Sequence, residues 1–190
     1  QNHGQPLVSS KSRQPSPGIE MSSSQAKTPK RTGMFPYVGR VEGHSFLQGS
    51  LDPESVVVDL GINQANFASN IHALTGCQVL GVEAVPDLAA KAPVHDWLRV
   101  ENVAIAGADG TVTMHLNQTG DATLRADMSE DDVTTVEVRA TTLESFLAAH
   151  DVATVDLLKV DIEGAEFELF DNAPDALLER LAQITIEFHD

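Results

Sequence analysis

The chain has 190 residues, 42% of them hydrophobic, which is enough to bury the core of one domain and too apolar for a disordered polymer. Its formal charge is -16, and beyond residue 33 it holds 7 basic and 27 acidic side chains, a net of -20 that repels nucleic-acid backbones and argues against a DNA or bulk RNA partner. No run approaches the roughly 18 apolar residues of a membrane span.

Residues 1–33 are rich in Ser, Gln, Pro and Lys, and their Lys11, Arg13, Lys27, Lys30 and Arg31 face only Glu20. With almost no large apolar side chains, they predict a disordered basic segment ahead of a domain over 34–190. Val56–Asp59 is a short apolar run closed by an acid, which predicts a buried strand and then a turn at Gly61. Phe67, Ile71 and Leu74 give residues 64–75 a helical stripe, with Asn63 as candidate cap and Gly76 as stop. Cys77 follows in an apolar context. As the single cysteine it excludes an intrachain disulfide, reads as a core residue and fits a reducing, cytoplasmic setting.

Gln78–Glu83 and Val100–Ala106 are the next two strand candidates. Thr111–Leu116 and Thr135–Ala140 alternate like half-buried strands, and the polar stretch Asn117–Asp132 between them predicts a mobile loop. Thr141-Thr142-Leu143-Glu144 offers a capping box into a helix over Leu143–His150. Val155–Val160 predicts a fourth core strand ending at Asp161. Helices follow around Glu163–Phe170 and from Pro174, and Ile184–Phe188 predicts a fifth core strand. Strands alternating with helices imply an α/β fold with a parallel sheet and right-handed crossovers. Ligands of such sheets bind beyond the carboxyl ends of the strands, where Asp59, Glu83, Asp161 and the Glu187–Asp190 tail converge.

The spacing at those ends permits particular chemistry. In Asp59-x-Gly61-x-Asn63, Gly61 allows a tight turn and close approach to a ligand. The helix start behind it offers N–H groups to a carboxylate, and Asp59 can bind an ammonium or fixed water. Glu83, some twenty residues on, can accept both ribose hydroxyls of an adenosine, and Asn102-Val103-Ala104 can edge an adenine. Lys159 and Asp161 share one strand face, and a lysine there needs a partner; Asp161 is the near candidate, with Glu163 and Glu187 as others. An acid or lysine in this cluster could accept or orient a hydroxyl proton, and His189 is a candidate general base. His44, His72, His95, His115 and His150 read as surface or packing residues. A metal site at Asp161, Glu163 and His189 is conceivable, but the spacing is not diagnostic and none is assigned.

Four blocks in order then carry a resemblance. They are Val58-Asp59-Leu60-Gly61-Ile62-Asn63, Val82-Glu83-Ala84-Val85-Pro86, Thr141-Thr142-Leu143-Glu144, and Leu158 to Glu166, whose Lys159-x-Asp161-x-Glu163-Gly164-x-Glu166 pattern is the most specific. With Ile186-Glu187-Phe188-His189 they make the chain resemble the FkbM family of S-adenosylmethionine (SAM)-dependent methyltransferases from Val56 to His189, about 70% of the chain. The resemblance implies a Rossmann-like class I methyltransferase fold over 34–190, mainly parallel sheet flanked by helices, and truncated before its final strands. It implies O-methylation of a hydroxyl on a small molecule or glycan. Asp59, Gly61 and Asn63 would hold the methionine end of SAM. Glu83, with Ala84 beside it, would hold the ribose, and Asn102, Val103 and Ala104 would lie near the adenine. Asp161 and Glu163 would face the reacting centre. The family turn usually carries a second glycine where this chain has Ala65. Two other readings stand beside this one. A non-catalytic SAM-binding module is favoured by Ala65 and the short tail. An NAD-dependent oxidoreductase is disfavoured because the turn lacks the glycine-rich pyrophosphate fingerprint.

Overall fold

A computed structural model describes residues 38–116, 122–123 and 134–189. The segment 1–33 read as disordered lies outside the described residues, as does most of the loop read over 117–132. Strands β1 (Val38–Val41) and β2 (His44–Leu47) form an antiparallel hairpin, which the sequence pattern does not announce.

The core follows from the apolar runs. β3 (Val56–Leu60), β4 (Gln78–Glu83), β5 (Leu98–Asn102), β10 (Leu157–Val160) and β11 (Ile184–Ile186) form one parallel sheet in the order β11-β10-β3-β4-β5. Successive side chains of a strand point to opposite faces. Val58 and Leu60 therefore pack with Leu143, Phe146 and Leu147 of helix α3 (Leu143–Ala149) on one face. Val57 and Leu157 pack with Phe67, Ala68 and Ile71 of helix α1 (Asn66–Thr75) and with Phe46 of the hairpin on the other. Burial on both faces is why these strands are continuously apolar rather than alternating. The chain leaves β3 for β4 on one side and reaches β10 on the other, so a crevice opens at the carboxyl ends where the order reverses.

Several element ends differ from expectation. The run Val100–Ala106 is two strands: β5 ends at Asn102, and β6 (Ala104–Ile105) joins a second sheet. The break at Val103 is held by its N–H donating to the Glu83 carbonyl at 3.1 Å. In the second sheet β7 (Gly110–Leu116) and β9 (Thr134–Thr141) pair antiparallel, with β8 (Ala122–Thr123) at the edge, giving the order β6-β9-β7-β8. Asn63 does not cap α1. The cap is Ala65, in left-handed backbone at φ 60°, without a side-chain hydrogen bond. Thr142 caps α3 as its Oγ1 accepts from the Ser145 N–H, but the reciprocal acceptor is Asp109, not Glu144. The Asp109 carboxylate takes the Thr142 N–H and the hydroxyls of Thr141 and Ser145, and these bonds hold its pKa below the usual value.

Helix α2 (Pro86–Ala89) has proline at its start. Helix α4 (Glu166–Asp171) begins later than Glu163, and helix α5 (Asp175–Leu178) has Pro174 at its cap. No helix among the described residues is long and apolar enough to cross a membrane.

Candidate functional site

Two turns build the crevice. After β3 the backbone turns left-handed at Gly61 (φ 79°), Asn63 (φ 47°) and Ala65. The N–H groups of Gly61 and Ile62 both donate to the Val82 carbonyl, and the Asn63 N–H donates to Glu83 Oε2 at 2.9 Å. Glu83 Oε1 accepts the Val85 N–H at 2.9 Å, so one carboxylate fastens the turns after both β3 and β4. Asn102 Nδ2 donates to the carbonyls of Glu83 and Ala84, which latches the same turn from behind.

The second turn follows β10, left-handed at Glu163 (φ 54°) and Gly164 (φ 102°). Fully buried Glu166 accepts the N–H groups of Ile162 and Gly164 and a ring nitrogen of His189, Nδ1, at 3.0 Å. Burial alone would raise the Glu166 pKa, but the hydrogen bonds from His189 and the backbone outweigh it and the net shift is downward. The two turns touch. A Cβ on Gly61 would collide with the Asp161 carbonyl oxygen, so what approaches this glycine is the neighbouring chain segment.

Beneath the crevice lies a buried ion cluster. Lys159 sits opposite Asp59 in the strand register, with Nζ 3.2 Å from Asp59 Oδ1 and 3.1 Å from Asp161 Oδ2. It also donates to the carbonyls of Gly61 and Leu60. Asp59 is 0% exposed. Its contact with Lys159 has the distance of an ion pair without well-directed hydrogen-bond geometry, and Oδ2 has no donor among the described residues. Burial pushes the Asp59 carboxyl up to about 6, the lysine charge only partly opposing it.

The crevice holds about 710 Å³ of space open to solvent. Val85, Leu88, Val103, Ile105 and Met114 give it apolar walls. Gly61, Asn63, Glu83, Ala84 and Ala104 line it too, as do Asp161 and Glu163 from the turn after β10. Of the residues singled out from sequence, Asp59, Lys159, Asn102 and His189 do not line it. Asp59 and Lys159 lie beneath the Gly61 turn, Asn102 is a latch, and His189 braces the second turn. Of the apolar wall residues Val103 is singled out from sequence, while Leu88, Ile105 and Met114, the bracing by Glu166 and the latching role of Asn102 have no signal in the local sequence.

His189 is surrounded by acids, with Nε2 3.6 Å from Glu163 Oε2 and 3.7 Å from Asp161 Oδ1. Burial would lower its pKa, but the Glu166 hydrogen bond and the nearby carboxylates raise it. A histidine held above 6.5 contributes stability fully below that pH and loses it as pH rises through the raised value. His189→Gln is therefore expected to destabilise the protein in urea denaturation at pH 6 and to match it near pH 9. An equal loss at both would show that packing, not charge, is what His189 supplies.

A five-stranded parallel sheet flanked by helices, with a crevice at its switch point, a glycine turn after β3 and an acid ending β4, defines an open α/β protein with a candidate ligand site at the carboxyl ends of its strands. Residues 59–190 match the methyltransferase FkbM domain, and the chain belongs to that family. The architecture is compatible with a Rossmann-like methyltransferase fold. No curated protein and no solved structure gives a match.

Proposed function

We propose that the protein transfers a methyl group from SAM to a hydroxyl of a small molecule or glycan. Family membership supports methyl transfer, and the charge of the crevice supports the donor. Its lining carries Glu83, Asp161 and Glu163 and no Lys, Arg or His among the described residues. An NAD pyrophosphate would meet acids there, with Lys159 and His189 behind them already engaged by carboxylates, whereas SAM brings a sulfonium and an ammonium against one carboxylate. SAM supplies an electrophilic methyl group when bound.

The chain's own residues then bind and orient. Each Glu83 oxygen accepts one backbone N–H and keeps a lone pair for a ribose hydroxyl. Val103 and Ala104 border the apolar wall available to an adenine, and Gly61 and Asn63 border the methionine end. Asp161 and Glu163 face the reacting end. Asp59, Lys159 and His189 act as positioning residues below and beside it.

Calorimetric titration with S-adenosylhomocysteine (SAH) and NAD tests the reading. The wild type is expected to bind SAH and not NAD. Glu83→Gln is expected to weaken SAH by roughly tenfold or more, the scale of a lost charged hydrogen bond. NAD binding in place of SAH would replace the proposal with an oxidoreductase, and unchanged SAH affinity in Glu83→Gln would remove Glu83 from the ribose site.

A further inference from the structure

A second cavity lies on the other side of the Gly61–Asn63 turn, under the β1–β2 hairpin, and holds about 550 Å³ of open space. Its lining includes Glu42, His44, Gln64, Asn66, Lys159 and Asp161. It shares Gly61, Asn63 and Asp161 with the crevice, so the two spaces meet at the end where the transferred methyl would lie. We infer that this cavity binds a polyhydroxylated acceptor and that His44 is the base that takes the proton from its reacting hydroxyl. The inference rests on the methyl-transfer reading above.

Four observations carry it. The first is that His44 is fixed in place. It opens β2, is 5% exposed, and its Nδ1 lies 3.3 Å from Thr185 Oγ1 on β11. The hairpin is tied to the same sheet edge by Leu47 N–H donating to Gln183 Oε1 at 2.6 Å. The second is the free ring nitrogen. With Nδ1 used by Thr185, Nε2 is the working atom, and Glu187 Oε2 at 4.0 Å is beyond hydrogen-bond distance. One ligand atom each of His44, Asp161 and Glu187 lie within 4.8 Å of one another, a span that a proton crosses through one bridging water rather than directly.

The third is protonation. Burial, and then the Lys159 charge, lower the His44 pKa, against the smaller opposing pull of Asp161 and Glu187. With its pKa held below the ordinary 6.5, the imidazole is neutral at pH 7 and able to accept a proton. The fourth is the lining. Amides, acids and an imidazole offer both donors and acceptors to hydroxyls. The lysine is already engaged by Asp59 and Asp161, which leaves little for an anionic acceptor.

The step balances. The acceptor hydroxyl gives its proton to Nε2 while its oxygen lone pair forms the O–CH₃ bond to a sulfonium methyl donor. The C–S bond breaks with its electron pair remaining on sulfur. The products are a methyl ether, a neutral thioether and an imidazolium, which releases its proton toward Glu187 and water.

The full chain would be given SAM and a panel of methyl glycosides, with an alkylamine and a thiol for contrast, and product followed by mass spectrometry. SAH affinity would be measured in parallel. The wild type should methylate a glycoside. His44→Asn should lower kcat at least about 100-fold, within the range for loss of a general base, with SAH affinity within twofold. Gln64→Trp, at an exposed position of the cavity wall, should raise KM for the glycoside more than tenfold and also spare SAH binding. SAH binding without methylation of any glycoside would overturn the acceptor class. Undiminished kcat in His44→Asn would overturn the base. A parallel loss of SAH affinity would assign the cavity to the donor's methionine end instead. A wild type that binds no SAH would bring down the methyl-transfer reading itself, a result distinct from all three.

Discussion

Lys159→Met is expected to destabilise the protein by about 3–5 kcal/mol at pH 7, the usual cost of removing one partner from a buried ion pair. Lys159 is the only cation within reach of Asp59 among the described residues, and Asp59 is 0% exposed. Without it, a carboxylate is left in the sheet interior with no donor. The loss should be smaller at pH 5. The native Asp59 carboxyl already titrates at about 6, above its ordinary 3.8. It holds its proton more tightly than the unfolded chain does, so ionising it removes stability as pH rises from about 4 to about 6. Below that window it is neutral and no longer needs the lysine. Urea denaturation of wild type, Lys159→Met and Asp59→Asn/Lys159→Met at both pH values reads this directly. The double variant should recover most of the loss at pH 7. Failure to recover would mean that the lysine's bonds to the Leu60 and Gly61 carbonyls and to Asp161 matter more than Asp59 does.

Gly61→Ala is expected to have the next largest effect, on stability and on SAH binding together. Left-handed backbone costs a non-glycine residue roughly 1–2 kcal/mol. At Gly61 a second cost is added, because the new methyl collides with the Asp161 carbonyl and must push the two turns apart. Gly43 separates the two costs. It has φ 87° and nothing within 4 Å of where an alanine methyl would sit, so Gly43→Ala carries the backbone cost alone. Thermal melts should place Gly61→Ala well below Gly43→Ala, with SAH affinity lost more than tenfold only in the former. Equal melting temperatures would show that the two turns can separate freely.

The buried strands are legible in the sequence because apolar runs ending in Asp59, Glu83 and Asp161 have few other ways to be satisfied. Their pairing as a parallel sheet follows from the helices between them. Ends of elements are less legible, because long-range bonds set them. Val103 interrupts the single strand read over Val100–Ala106 because its N–H is drawn to Glu83, and α3 starts where Asp109, more than thirty residues earlier, supplies the missing acceptor.

The site follows the same division. That Asp59, Gly61, Asn63, Glu83 and Asp161 gather at one sheet end can be argued from period and spacing. That Asp59 lies under the crevice rather than in it cannot, since the difference is one of depth. Spacing along its own strand offers Lys159 the partner Asp161, yet Asp59 lies opposite it across the sheet as well, in a register that sequence does not display. His44 has no local signal. Its place depends on a hairpin folding back to touch β11, 141 residues away.

Asp161 belongs to three neighbourhoods at once: it walls the crevice, walls the second cavity and balances Lys159. A single carboxylate cannot serve them independently. Charge brought to one side changes what the other side experiences, and such an influence is reciprocal by thermodynamic necessity. A donor and an acceptor seated as proposed would therefore bind as a linked pair, with affinities that do not simply add.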